Sequence, residues 1–557
     1  MSDLRLYRLA FAPTLAALVV LAFSLQGVPD PVEPPPGTLE FDATEAAKSA
    51  REVLAAGAKR EPGSAADNAT ADLVAERFGS VVSGTPGEQA VTAEIDGEDA
   101  ELRNVLLTLP GTSNHAIVVL AGRDSREGEG APSSAAATGV LLELVDSLAI
   151  AERNRTLILA STSASSAEGQ GARELIEGLP GRTIVDAVVV ISQPAYDEPF
   201  EPHIVMSGGG SGPPVGLART AEAVLRERAS LSPGKIGAPA QIARYAIPAA
   251  SGDQAGLIAD GVSAIAISSA GELPLPSSET DRDRLDTGTL ERLGPVFLAL
   301  VSALDSASAP PESGPGNFLW IGDNLVPGWS VGLVVLALLV PPAAAAASVL
   351  ARARRTGGSF QRSFSWALEW WLPALVFCLG IYGLSLLGVV PASGVPYDPS
   401  RYELGVGEIV ILFLLLALAG WLWWVLGLRR IPGAAGPGAA GGAAGLVSAA
   451  TCAAVWLVNP YLALVLLPLV HMVAILGARD ARPARLAGPV LLIAALPLAG
   501  SLVYVASALD WGLSAPWQLA VLMAGGGVGP VEALGGAFVV AGAGAIVTTA
   551  LATARTS

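Results

Sequence analysis

Seven apolar runs, at residues 328–350, 364–390, 406–428, 438–458, 460–478, 486–508 and 531–553, decide what the second half of this chain can become. Each is long enough to cross the ~30 Å hydrocarbon core of a bilayer as a helix. Inside lipid a segment must satisfy its own backbone hydrogen bonds, and a helix does so within itself. An eighth apolar run, from about Leu9 to Val28, follows Arg5 and Arg8 and reads as a retained N-terminal anchor. Trp517–Met523 is too short to cross and is followed by Gly525–Gly529, which suggests a re-entrant or interfacial piece.

Charge separates the halves. Residues 29–320 carry 41 of the 50 acidic and 20 of the 33 basic side chains, a net of −21; the remaining 9 acidic and 13 basic side chains give +4. An acidic face of that kind argues against nucleic acid, whose binding rests on Lys and Arg neutralising phosphates. With the N-terminus inside, twelve of the thirteen basic residues outside 29–320 fall on the cytoplasmic side: Arg5, Arg8, Arg352, Arg354, Arg355, Arg362, Arg429, Arg430, Arg479, Arg482, Arg485 and Arg555, with Arg401 the exception. This matches the positive-inside rule. The expected topology has both termini cytoplasmic, residues 29–327 extracytoplasmic, and the protein multi-pass in the cell membrane. Cys378 and Cys452 both lie in apolar runs, so the acidic part has neither a disulfide framework nor a thiolate metal site.

The acidic part alternates two periodicities. Apolar runs at Asn104–Leu109, Ala116–Ala121, Thr156–Ser161, Ile184–Ile191 and Ser263–Ile267 read as strands. Helical spacing marks Ala43–Ala56, Asn68–Phe78, Ala135–Leu148, Glu168–Glu177, Pro214–Ala229 and Thr289–Leu304, with Asn68 and Asp72 offering capping chemistry. Near-continuous apolar strands alternating with helices imply an α/β domain, its mostly parallel central sheet covered on both faces. The domain reading is residues 1–28 as anchor, 29–40 as Pro-rich linker, 41–310 as extracytoplasmic domain, 311–327 as linker and 328–557 as membrane domain. Chemistry in such a sheet belongs at the carboxyl ends of the strands, which directs attention to the loop after AIVVLAGRDS.

The order NVLLTLPG, AIVVLAGRDS, TGVLLELVDSLA, RTLILASTSA, EGQGARELIE, SGDQAGLIADGVSAIAI and SSETDRDRLDTGTLERL resembles the zinc-dependent exopeptidases of the aminopeptidase/glutamate carboxypeptidase class over about 200 residues. The resemblance implies their fold and a two-zinc site, but the ligand positions have changed. The His of the family's His-x-Asp falls on Gly122, leaving Asp124. The bridging carboxylate falls near Ser134, and the Glu-Glu pair on Ser165–Ser166 or Ala167–Glu168. The next carboxylate falls near Ser192, the final His among Pro274–Ser278, and Asp253 keeps the family's Ser-Asp position. Asp124, Ser134, Glu168 and Asp253 are therefore the vestigial-site candidates, with no confident catalytic, cofactor or metal residue. Asp124 reads equally as a loop-bonding residue, Glu168 as a first-turn helix acid and Asp253 as a helix N-cap. His115 and His203 read as exposed loop residues, His471 as an interfacial or helix-packing residue, and the Ser207–Gly212 loop as a connector.

One N-terminal span, a peptidase-like domain and seven further spans also resemble the layout of the membrane subunit of the GPI transamidase. That resemblance implies a non-catalytic protein that binds a peptide or lipid-linked substrate or scaffolds a membrane complex, with membrane lipid and other proteins as partners and no cofactor. Two alternatives stand beside it. One is an active membrane-anchored exopeptidase using zinc on displaced ligands; the other is a transporter or lipid-handling protein with an accessory ectodomain.

Overall fold

The computed structural model describes residues 11–35, 39–95, 98–125, 131–196, 202–212, 214–234, 236–269, 271–273, 285–314, 317–355, 357, 359–428, 437–478 and 484–556. Arg5, Arg8, Arg429, Arg430, Arg479, Arg482 and the Pro274–Ser278 segment lie outside the described residues.

The chain begins with helix α1 (Phe11–Phe23) and a two-residue strand β1 (Gln26–Gly27). Helices α2 (Ala43–Ala56) and α3 (Ala65–Gly79) lead into the strands β2 (Thr85–Ile95), β3 (Glu98–Leu109) and β4 (His115–Gly122). Then follow α4 (Ala131–Leu148), β5 (Thr156–Thr162), α5 (Gln170–Glu177), β6 (Ile184–Ile191), β7 (His203–Val205), α6 (Val215–Ala229), α7 (Ala238–Ala246), α8 (Asp253–Ala259), β8 (Ala264–Ser268) and α9 (Thr287–Ser306).

The large sheet has seven strands in the order β2-β3-β5-β4-β6-β8-β7. Its centre, β5-β4-β6-β8, is parallel. Both margins are antiparallel, β2 and β3 on one side and β7 on the other. The sheet is thus mixed: the expected parallel strands form its centre, and antiparallel strands are added at both margins. The eleven-residue pairing of β2 with β3 was hidden in the sequence because β2 (TPGEQAVTAEI) holds Pro, Gly and acidic residues rather than an apolar run.

Alternation along the buried strands explains the two-sided core. Ile117, Val119 and Ala121 of β4 join Leu157 and Leu159 of β5 and Val189 of β6 on one face, under α2, α4 and α9. Ala116, Val118 and Leu120 join Ile158, Ala160, Val188 and Val190 on the other, with Ala172 and Leu175 of α5 and Leu257 of α8. Successive side chains of a strand point to opposite faces, so a strand apolar at every position must be covered twice.

Helix starts differ from expectation by four residues or fewer. Helix α3 is capped by Ser64, whose hydroxyl accepts from Asp67 N, while Asn68 donates to Gly63 O. Ser exposes an oxygen to the orphan amides of the first turn, and the apolar stripe that marks the helix body begins only later.

A hairpin of β9 (Phe318–Ile321) and β10 (Asn324–Pro327) pairs with β1 in a separate three-stranded sheet and runs straight into the membrane half. That half comprises α10 (Gly328–Arg355), α11 (Phe360–Leu386), α12 (Val406–Trp423), α13 (Pro437–Val458), α14 (Pro460–Gly477), α15 (Ala484–Ala508), α16 (Ala515–Ala524) and α17 (Pro530–Thr556). Seven of these helices are long and apolar enough to cross a membrane, which marks the chain as a membrane protein. The short one, α16, is the Trp517–Met523 piece. The described part of α1 has 13 residues and packs against α10. Helix α13, rich in Gly and Ala, packs among α10, α14 and α17, because small residues let helix backbones approach where lipid gives no hydrophobic drive. Helix α12 is apolar all round and leaves Phe413, Leu414, Leu416 and Trp421 exposed, as a lipid-facing helix does.

Two contacts join the candidate-site region and its surroundings to the membrane half. Tyr245 of α7 stacks on Tyr461 of α14 with ring centroids 4.5 Å apart, and Asn459 donates to Tyr245 O. The loop between α11 and α12 reaches the soluble domain, where Tyr397 N donates to Ala250 O at 2.7 Å.

Candidate functional site

The carboxyl ends of the four parallel strands converge, and each is followed by a polar segment. Strand β4 ends at Gly122 and delivers Asp124; β5 delivers Ser165, Ser166 and Glu168; β6 delivers Ser192 and Gln193; β8 is followed by Glu272. With Ser133 and Ser134 of α4 and Asp253 at the start of α8, these groups line one cavity of about 120 Å³. All four residues singled out from the sequence, Asp124, Ser134, Glu168 and Asp253, are on its wall. Pro396, Tyr397 and Asp398, from the α11–α12 loop of the membrane half, complete it.

Each group has a definite occupation. Asp124 is buried, and its carboxylate accepts from Ser165 N at 2.8 Å, Ser166 N at 2.8 Å and Ser166 Oγ at 2.5 Å. Burial and the neighbouring Asp67 push its pKa up, against the pull of the serine donors. It bonds the β5 loop, the simpler of its two sequence readings. Ser134 Oγ accepts from Arg60 Nη2 at 2.6 Å, and the same buried guanidinium donates to Arg123 O and Ala131 O. Burial lowers the Arg60 pKa to about 10, which leaves it charged at neutral pH.

Glu168 is not a first-turn helix acid. It precedes α5 in a left-handed conformation, φ 61°, a region that non-glycine residues enter at a cost. Its Oε1 accepts from Ser393 Oγ at 2.5 Å and from Tyr402 OH at 2.7 Å, both on the α11–α12 loop. Burial and the adjacent carboxylate hold the Tyr402 hydroxyl well above its usual pKa, so it stays a neutral donor. Asp253 is not an N-cap either: Gly252 is, and Asp253 lies in the first turn with its side chain turned into the cavity wall. Its Oδ2 accepts from Ser165 Oγ at 2.8 Å, its Oδ1 has no partner, and burial raises its pKa to about 7.

The histidines stand apart from this group. His115 opens β4 at the opposite end of that strand, its Nδ1 2.7 Å from buried Asp186, so it is not a loop residue. His203 opens the margin strand β7. His471 lies within α14, its Nδ1 2.9 Å from Leu467 O.

The resemblance implies zinc, and the donors present do not fit it. Two-zinc chemistry needs imidazole and carboxylate ligands converging on each ion. Gly122, at the expected imidazole position, has no room for a side chain: a Cβ there would lie 2.4 Å from Ser165 Cβ and Oγ. The bridging position is Ser134, bonded to a guanidinium, and a fixed positive charge repels a second cation at short range. Among the described residues no group of three or more His, Cys, Asp or Glu side chains is placed to hold a metal ion. No reaction step through zinc follows from this arrangement.

Sequence reasoning did not find Arg60, Gln193, Glu272, Ser393 or Tyr402. Glu272 carried a usable signal, since it stands just after a buried strand at the sheet's carboxyl end. Ser393 and Tyr402 are more than 220 residues from Glu168, and nothing local marks them. Glu168→Ala would strip both hydroxyls of their acceptor, weakening the contact between the halves by about 1–3 kcal/mol. Faster amide hydrogen exchange across residues 390–402 in the variant is the expected result; unchanged exchange there would remove the contact's significance.

No family model matches the chain, and no curated protein matches it. Among solved structures it is similar to the glutaminyl cyclase of Porphyromonas gingivalis, at 15% identity over 48% of this chain and 99% of that one, with a TM-score of 0.39. It is also similar to a leucine aminopeptidase precursor from Bacteroides thetaiotaomicron (15% identity, 49% and 99% covered, TM-score 0.37). A Zn-dependent exopeptidase from Parabacteroides distasonis gives 16% identity, 49% and 99% covered, and a TM-score of 0.36.

Proposed function

We propose that this is an integral membrane pseudo-peptidase. Its peptidase-like domain is non-catalytic and binds a peptide or lipid-linked substrate, or scaffolds a membrane complex, in an organisation like that of the GPI transamidase membrane subunit. The observation that carries the reading is how the acidic groups of the strand-end cavity are used. Asp124 is held by serine amides and a serine hydroxyl, and Glu168 by two hydroxyls from the membrane half. A catalytic carboxylate must reach a substrate proton or a metal-bound water, and these two are committed to protein donors. The serines of the cavity lack an imidazole partner among its lining residues, so no Ser–His pair is present there; Ser165 donates to the Asp253 carboxylate instead.

The arginine bias of the loops supports a topology with both termini cytoplasmic and the acidic domain extracytoplasmic, which places the cavity at the outer membrane surface. Partners are expected in that plane: membrane lipid and proteins of the same complex.

Metal analysis of the purified full-length protein, with aminopeptidase and cyclase assays run with and without added zinc, tests the reading. Zinc well below one equivalent and no chelator-sensitive turnover are expected. Stoichiometric zinc together with chelator-sensitive hydrolysis would overturn it in favour of an exopeptidase with displaced ligands.

A further inference from the structure

The strand-end cavity has a neighbour. Glu272 lines it and also lines a second cavity of about 780 Å³. This larger space lies between β7, α7 and the β9–β10 hairpin on the soluble side and Tyr504 and Ala508 of α15 on the membrane side. Its size suits a small-molecule site. Met206, Ile236, Tyr245, Phe318, Trp320 and Ile321 give it an apolar stretch of wall, with Arg219, Glu222, Arg244, Glu272 and Asp323 also on its lining. It sits at the level where the chain enters the membrane: β10 passes into the span α10 at Gly328, and Ala508 is the last residue of the span α15. Ile236 and Ile321 are 41% and 47% exposed.

The two cavities differ in kind. Glu272, which lines both, accepts from Arg244 Nη2 at 2.5 Å, Ser207 Oγ at 2.7 Å and Ser251 N at 2.9 Å. In the small cavity two buried acceptors have no partner, Asp253 Oδ1 and Gln193 Oε1, on residues only 2% and 5% exposed. A buried acceptor left unpaired is costly, and what this pair requires is a hydrogen-bond donor.

We propose that the two cavities together bind a bilayer lipid, with an acyl chain in the larger one and a donor-bearing headgroup, ammonium or hydroxyl, turned past Glu272 toward Asp253 and Gln193. The inference rests on the non-catalytic binding role and names its ligand. A freely soluble ligand would have no use for an apolar wall that includes Tyr504 and Ala508 of a span, and a trimethylammonium head has no donor to give.

The full-length protein in detergent, offered phosphatidylethanolamine, phosphatidylglycerol and phosphatidylcholine with identical chains, tests this by native mass spectrometry of retained lipid. A donor-bearing lipid should be retained about tenfold over phosphatidylcholine, the worth of one charge-assisted hydrogen bond. Asp253→Asn separates the two sources: an ammonium head should lose about tenfold, whereas a hydroxyl head should stay within about twofold. Ala240→Trp, which fills the larger cavity from α7, should reduce retention of every lipid. Equal retention of the three lipids, or retention indifferent to Ala240→Trp, overturns the proposal. Zinc content and hydrolysis are read in a separate measurement, so failure of lipid retention leaves the non-catalytic reading intact, and the reverse holds too.

Discussion

Asp67→Ala will cost the folded protein about 3–5 kcal/mol, the usual penalty for removing one partner of a buried ion pair. Asp67 and Arg123 have fully buried side chains, and Asp67 Oδ1 lies 2.8 Å from Arg123 Nε. Asp67 Oδ2 also accepts from Ser163 Oγ at 2.7 Å and Gly63 N at 3.0 Å. Arg123 in turn donates to Ser161 O and Arg103 O, tying the end of β4 to β5 and β3. Alanine removes the carboxylate and leaves the guanidinium buried, with Arg103 close enough to act on it and less to balance it. Because Arg123 stands between Gly122 and Asp124, the loss should loosen the cavity as well as the fold. Thermal unfolding of the full-length protein in detergent should show a large fall in Tm for Asp67→Ala and a smaller one for Asp67→Asn, which keeps the acceptor oxygen. A Tm for Asp67→Ala matching the parent protein would mean that the pair contributes nothing net.

The second large effect depends on pH and belongs to Asp253. Burial raises its folded-state pKa to about 7, against 3.8 for an unperturbed aspartate. Between those values the native carboxyl holds a proton that the unfolded chain has released. Stability from this group is therefore fully present below about pH 4 and falls as pH rises toward 7; above that the accumulated cost is on the order of 4 kcal/mol. Asp253→Asn cannot titrate. Its stability should exceed that of the parent protein above pH 7, and the difference should shrink steadily on acidification to about pH 4.5. Chemical unfolding of both proteins across that range measures it, and a difference independent of pH would show that Asp253 titrates normally. A bound ammonium would stabilise the charged carboxylate and flatten the parent's profile, which connects this experiment to the lipid proposal.

Much of the architecture was legible because two periodicities are written directly into the residues. Apolar runs of bilayer length announced the membrane half, and AIVVLAG, RTLILAST and IVDAVVVI announced buried strands. The less apolar strands were not legible: β2 reads as polar, and β7 is three residues long with a pairing set by contact alone. At the candidate site, Asp124, Ser134, Glu168 and Asp253 could be picked out because the strand–loop order places them at strand ends. Their partners could not. Arg60 reaches Ser134 across 74 residues, and Tyr402 reaches Glu168 across 234.

By itself, then, the sequence determined an acidic α/β domain joined to a set of spans, and a strand-end loop reading Gly122-Arg123-Asp124 where an imidazole and a carboxylate would bind metal. The first is a local property of residue type and spacing; the second rests on the resemblance in segment order. Only the tertiary structure decided that Asp124, Glu168 and Glu272 are held by serine, tyrosine and arginine groups, that the α11–α12 loop forms one wall of the cavity, and that a larger cavity shares Glu272 with it. Hydrogen bonds and cavities of this kind arise between segments distant along the chain, where chain folding, and no local pattern, sets the geometry.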